Sequence, residues 1–151
     1  MKRALLTIAL ALFASAGGVA RCGAAELSVA GGAFATDTPS QAGGAVLVSS
    51  AASVPALPVE LQATLLVPVI PNGGYAITGE VRGLSGGGFG GAYVGAGIGI
   101  GNLSSGRQTG PVLTAFVGKP IAPFSTLELR IYKGTQSGGA TAGFVGIRFS
   151  L

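Results

Sequence analysis

The sequence predicts an all-β protein: an eight-stranded antiparallel up-and-down transmembrane β-barrel, preceded by a cleavable helical signal peptide. Three observations carry this. The chain ends in two runs of alternating side chains, Leu127 to Lys133 and Phe144 to Leu151, joined by a Gly/Ser/Thr turn. Alternation with period two gives a strand one apolar and one polar face. The composition is 48% hydrophobic and only 9% charged, with 28 glycines in 151 residues. Yet no apolar run reaches the ~20 residues of a membrane-spanning helix. A barrel reconciles these facts, because it spreads its apolar surface over alternate residues of many short strands.

Residues 1–25 read as a secretory signal peptide. Lys2 and Arg3 form a basic start, Ala4 to Phe13 an apolar stretch, and small residues follow. Cleavage fits after Gly23-Ala24-Ala25 or after Cys22-Gly23-Ala24. Lipidation of Cys22 is disfavoured, because Arg21 stands where a small residue is needed. Three of the nine basic residues lie in this leader, leaving six against five acidic ones. The mature chain is then almost neutral, which removes the electrostatic basis for nucleic-acid binding. It has no cysteine and no histidine, so thiol chemistry is excluded and a zinc site is disfavoured; no cofactor is expected.

Residues 26–151 form one domain by length. Eight strand-like segments are expected at 26–35, 43–52, 57–68, 74–83, 89–101, 110–119, 125–134 and 142–151. Clusters of Gly, Pro, Ser, Asn and Thr separate them, as turns require. Each segment is near the ~9–11 residues of a tilted spanning strand. In the third, Val59, Leu61, Ala63, Leu65 and Val67 share a face; in the fourth, Tyr75, Ile77 and Val81 do. In the fifth, Ala92, Val94, Ala96, Ile98 and Ile100 oppose Tyr93 and a row of glycines. Those glycines, Gly91, Gly95, Gly97 and Gly99, would leave room inside a narrow barrel for Tyr93, Tyr132 or Arg130. The second and sixth segments are apolar on both faces, and their orientation stays open.

Glu60, Glu80, Arg82, Glu128, Arg130 and Arg148 all oppose the apolar face of their own strand. If that face meets lipid, these six charges point into the lumen and must pair there, since an isolated buried charge is prohibitively costly. A turn centred near Pro71 places Glu60 opposite Arg82. One centred near Gly138 places Glu128 opposite Arg148. The expected role is a structural plug; ordinary ion pairs on a wet soluble sheet are the plainer alternative. Glu80 and Glu128 could form a catalytic carboxylate pair only if one held a proton, which neighbouring arginines oppose. No catalytic site is therefore expected. Lys133 and Arg107 are placed near the rim away from the termini.

The leader, the eight alternating segments and the terminal Gly146-Ile147-Arg148-Phe149-Ser150-Leu151 resemble the small outer-membrane β-barrel proteins of the OmpX, OmpA and opacity-protein type. Gly146, Phe149 and Leu151 are similar to the terminal signal read by the barrel assembly machinery. Phe144 and the final Leu151 depart from its commoner form. The resemblance implies a monomer in the outer membrane of a Gram-negative-type bacterium. It implies outer-membrane lipid as surroundings, and the assembly machinery and periplasmic chaperones as partners during insertion. The connections expected outside, at 36–41, 71–74, 102–108 and 134–141, are short, which disfavours an adhesin. Lipid A palmitoyltransferases and deacylases of this type use histidine, and this chain has none. Aromatic girdles, usual at both interfaces, are thin: Tyr75 and Phe149 fall on lipid-facing positions, with Phe34, Phe89, Phe116 and Phe124 as further candidates. A secreted or periplasmic soluble β-barrel or sandwich binding a small apolar ligand is the alternative. It would turn the aliphatic face inward and put the charges in water.

Overall fold

The computed structural model describes residues 26–37, 40–71, 73–84, 91–103, 108–136 and 138–151. The proposed leader 1–25, with Cys22, and the rim residue Arg107 lie outside them, as does Phe89.

Eight strands follow one another: β1 (Glu26–Asp37), β2 (Ser40–Ser53), β3 (Val59–Val69), β4 (Tyr75–Leu84), β5 (Tyr93–Asn102), β6 (Gly110–Ala122), β7 (Ser125–Gly134) and β8 (Thr141–Ser150). Each pairs antiparallel with the next, and β8 pairs back with β1, closing the barrel. Closure pairs the backbone of the first and last strands and leaves no open sheet edge.

Boundaries differ from the sequence reading where backbone chemistry intervenes. The first connection is tighter than 36–41, because Thr36 pairs with Gln41 and Asp37 with Ser40. β3 begins at Val59 rather than at 57. Pro55 and Pro58 lack donors, and Leu57 N instead closes a turn onto Val54 O at 3.2 Å. β6 runs on to Ala122, with a break in register between Pro120 and Ala122.

Side chains sort by face around the whole ring. Outward positions carry aliphatic residues such as Val94 (63% exposed) and Ile98 (69% exposed), while inward positions are buried. The two strands left open by their sequence are now oriented. In β2, Ala45, Leu47, Ser49 and Ala51 point inward and Val46 outward; in β6, Val112, Thr114 and Phe116 point inward and Leu113 and Val117 outward. Phe34 and Phe116 are thereby removed from the candidate girdle, for both are buried inside. Phe124 and Phe149 remain on the outer surface.

The interior is divided along its length. Toward the end where β1 starts and β8 finishes it is polar, with Ser28, Ser49, Gln62, Arg82, Glu128 and Arg148 buried there. Toward the opposite end it is an apolar core that includes Phe34, Leu47, Leu66, Val112, Tyr132 and Phe144. Side chains fill both halves, as expected for so few strands.

Candidate functional site: a closed, charged lumen

The polar half is built by cross-strand geometry. Glu60 and Arg82 are register partners on β3 and β4, as the sequence predicted, and so are Gln62 with Glu80 and Thr64 with Thr78. Because alternate residues share a face, these six side chains stack as three inward rows. Arg82 donates through Nε and Nη2 to Glu60 Oε2.

Glu80 is held on both oxygens. Oε1 accepts from Thr78 Oγ1 and from Arg130 Nη1, each at 2.6 Å. Oε2 accepts from Gln62 Nε2 at 2.7 Å and Thr64 Oγ1 at 2.9 Å. Arg130 therefore ties β7 across the lumen to β4, and its Nε also donates to Glu128 Oε1. Its guanidinium lies 4.1 Å from the centroid of the Phe116 ring. Such stacking suits a weakly hydrated planar cation out of water. Arg130 and Glu128 are both 0% exposed.

Glu128 departs from the sequence expectation in its partner. It lies opposite Gly146, and Arg148 lies opposite Thr126. The turn centre is one residue earlier than expected, with Lys133 paired to Thr141. A shift of one in the centre moves the partner by two, so both side chains still face inward. The ion pair survives diagonally, Arg148 Nε to Glu128 Oε2 at 3.1 Å, within the reach of a long side chain. Arg148 also donates through Nη1 to Gln62 Oε1 at 3.0 Å and through Nη2 to Ser49 Oγ at 3.1 Å.

All six charges singled out from the sequence thus face the lumen, in two clusters of ion pairs: Glu60 with Arg82, and Glu80 with Arg130, Glu128 and Arg148. The sequence reading missed Glu26, whose Oε2 lies 3.6 Å from Arg82 Nη2. With Glu26 counted, the described residues place four acids against three arginines in the lumen rather than three against three. It also missed Tyr93, which donates its hydroxyl to Glu128 Oε2 and lies 4.7 Å from the Arg82 guanidinium. Tyr93→Phe should cost about 1–3 kcal/mol, the usual penalty for removing a buried partner. Urea unfolding in micelles measures it.

Glycines make room for this network, but through different neighbours than expected. Tyr93 is register partner to Gly118, and Phe116 to Gly95. A Cβ on Gly118 would strike the Tyr93 ring, and one on Gly95 the Phe116 ring. A Cβ on Gly97 would come within 2.6 Å of Glu80 Cγ. Of the four glycines expected to admit Tyr93, Tyr132 or Arg130, none has any of these among its nearest neighbours: Gly95 meets Phe116, Gly97 meets Gly79 O and Glu80, Gly99 meets the backbone of Ile77 and Thr78, and Gly91 borders Pro120.

Chemically, the arrangement locks carboxylates rather than exposing them. Both oxygens of Glu80 and of Glu128 are engaged by donors, leaving neither poised to accept a proton from a substrate. Lys133, by contrast, is exposed at the rim away from Glu26 and Ser150, donating to Thr141 Oγ1 at 3.0 Å.

An aliphatic belt outside and buried arginines inside, on a closed ring of eight antiparallel strands, define a small eight-stranded up-and-down β-barrel with its apolar face turned outward. The aliphatic faces point away from the lumen, opposite to what a soluble ligand-binding barrel requires. No family model matches the chain, and no curated protein matches it. Among solved structures, the fold is shared with Neisserial surface protein A (NspA). That match has a TM-score of 0.55 and 16% identity, over 84% of this chain and 96% of that one.

Proposed function

We propose that the protein is a non-enzymatic β-barrel of a bacterial outer membrane, exported by the leader 1–25, with a structural or surface-contact role. The observation that carries this is the inversion of burial. Ile98 and Val94 are among the most exposed side chains, while Arg130 and Glu128 are completely buried. An apolar belt around the ring far exceeds what a soluble monomer exposes, and lipid satisfies it. The Glu/Arg network is the plug: it fills the lumen and braces opposite walls, so solutes do not pass. The end with Glu26 and Ser150 faces the periplasm, and the Lys133 end faces outward. Outer-membrane lipid surrounds a monomer, and the assembly machinery and periplasmic chaperones handle it during insertion, with Gly146, Phe149 and Leu151 as its terminal signal. The likeness to NspA supports the fold on which this reading rests.

Fractionation tests it. The folded protein should need detergent for extraction and migrate differently on gels before and after heating. Recovery of a folded monomer from the aqueous phase without detergent overturns the membrane reading. Stable single-channel conductance in planar bilayers overturns the plug.

A further inference from the structure

We propose that the lumen holds one buried water molecule as a fixed ligand of Arg130 Nη2, the Tyr132 hydroxyl and Thr114 Oγ1, joining the β6 wall to the charged cluster. The inference concerns the lumen alone and stands apart from the membrane reading.

Arg130 Nη2, the Tyr132 hydroxyl and Thr114 Oγ1 are buried, and none has a hydrogen-bond partner among the described residues. Arg130 and Tyr132 are 0% exposed and Thr114 is 4% exposed. Buried polar atoms left unpaired are costly. Several gathered at one place point to a shared partner.

The register gathers them. Gln62, Glu80, Gly97, Thr114 and Tyr132 form a single row across β3 to β7. Thr114 and Tyr132 are directly opposed in it, which sets their Cβ atoms about 5 Å apart. Arg130 stands two residues before Tyr132 on the same inward face. Its Nη1 reaches Glu80 Oε1 in that row at 2.6 Å, so the guanidinium extends past Phe116 toward β4, alongside Thr114. Glu80 leans over Gly97, where a Cβ would meet its Cγ at 2.6 Å. That brings the ion pair toward β6. The Tyr132 ring belongs to the apolar core, yet its hydroxyl interacts with Arg130, Glu80 and Glu128. Thr114 is the only polar side chain on the inward face of β6, so it is the group through which that wall can bond to the cluster.

The chemistry of the three atoms selects water. Nη2 only donates, so the ligand must accept, whereas each hydroxyl can donate or accept. An anion does not fit. The same guanidinium already carries Glu80 on Nη1 and Glu128 on Nε, and both carboxylates would repel a third negative charge in a low-dielectric interior. A cation would face Arg130 itself. Water is neutral, accepts from Nη2 and one hydroxyl and donates to the other; about three such bonds are usual for a buried water.

A crystal structure of the purified protein in detergent tests the site. It should show an isolated density peak within about 2.6–3.2 Å of all three atoms, with no anomalous signal there after a bromide soak. Direct contacts among the three atoms, with no peak between them, overturn the site. A bromide signal there makes the ligand an anion and overturns the water. In micelles, magnetic relaxation dispersion of the water signal counts long-lived internal waters. Tyr132→Phe combined with Thr114→Val should lose one of them relative to the parent; an unchanged count overturns the proposal. Tyr75→Phe, whose hydroxyl meets Thr109 outside the lumen, should lose none, and an equal loss there overturns the assignment to this site. Should the double variant fail to fold, the density in the parent decides.

Discussion

Replacing Arg130 with methionine should lower the stability of the folded barrel by about 3–5 kcal/mol, the cost of breaking a buried ion pair from one side. Arg130 bridges Glu80 and Glu128, with Nη1 2.6 Å from Glu80 Oε1 and Nε on Glu128 Oε1. Methionine leaves two buried carboxylates sharing fewer positive neighbours. Glu80 keeps Thr78, Thr64 and Gln62, and Glu128 keeps Arg148 and Tyr93. Adding Glu80→Gln should therefore recover part of the loss, because it removes the charge that has lost its only arginine among the hydrogen-bond partners shown. The measurement is a urea titration in detergent micelles, read by heat-modifiable gel mobility. Equal stability of the parent and the Arg130→Met protein would mean the network contributes nothing to holding the barrel.

A Cβ at Gly146 should impair closure of the barrel. Gly146 and Gly32 are register partners where β8 meets β1. An alanine Cβ at Gly146 would lie 2.5 Å from Gly31 O and 2.9 Å from Gly32 Cα, both backbone atoms that cannot swing aside. Gly146→Ala should destabilise by about 1–3 kcal/mol, the usual range for overpacking. Gly143, in the same strand, faces open space with nothing within 4 Å of its added Cβ. Gly143→Ala should stay within about 0.5 kcal/mol of the parent. Refolding the purified proteins into micelles separates this steric role from recognition by an assembly factor, which is absent there. If Gly146→Ala refolds like the parent in micelles, the glycine is not required for the β1–β8 contact.

Part of the lumen was readable from spacing. Six charges on one parity of their strands implied six inward side chains, and Glu60 found Arg82 because the Pro71 turn centre was placed correctly. Glu128 and Arg148 show where such reading fails. A strand slipped by two residues keeps every side chain on its original face, so alternation cannot detect the slip. The Gly/Ser/Thr connection contains several positions able to hold the turn. In the structure Gly139 N closes onto Gln136 O at 2.7 Å and Gly138 takes a positive φ of 67°. Tyr93 was legible as inward, but its partner was not, because Glu128 lies two strands away across β6.

Fold class, the eight strands and the facing of those with clear alternation were all legible in the chain alone. Those properties follow from period two and from turn chemistry, which act over a few neighbouring residues. The facing of β2 and β6, the diagonal pairing of Arg148 with Glu128, the fourth acid Glu26, and the glycines that admit Tyr93 and Phe116 emerged with the assembled barrel. Each depends on register with a neighbouring strand. In β2, Val46 and Leu47 are equally apolar, so the choice fell to pairing: Leu47 sits opposite Ala30 and Leu66, both inward. Register is settled by the closure of the whole ring, where one strand's position constrains the next until β8 must meet β1.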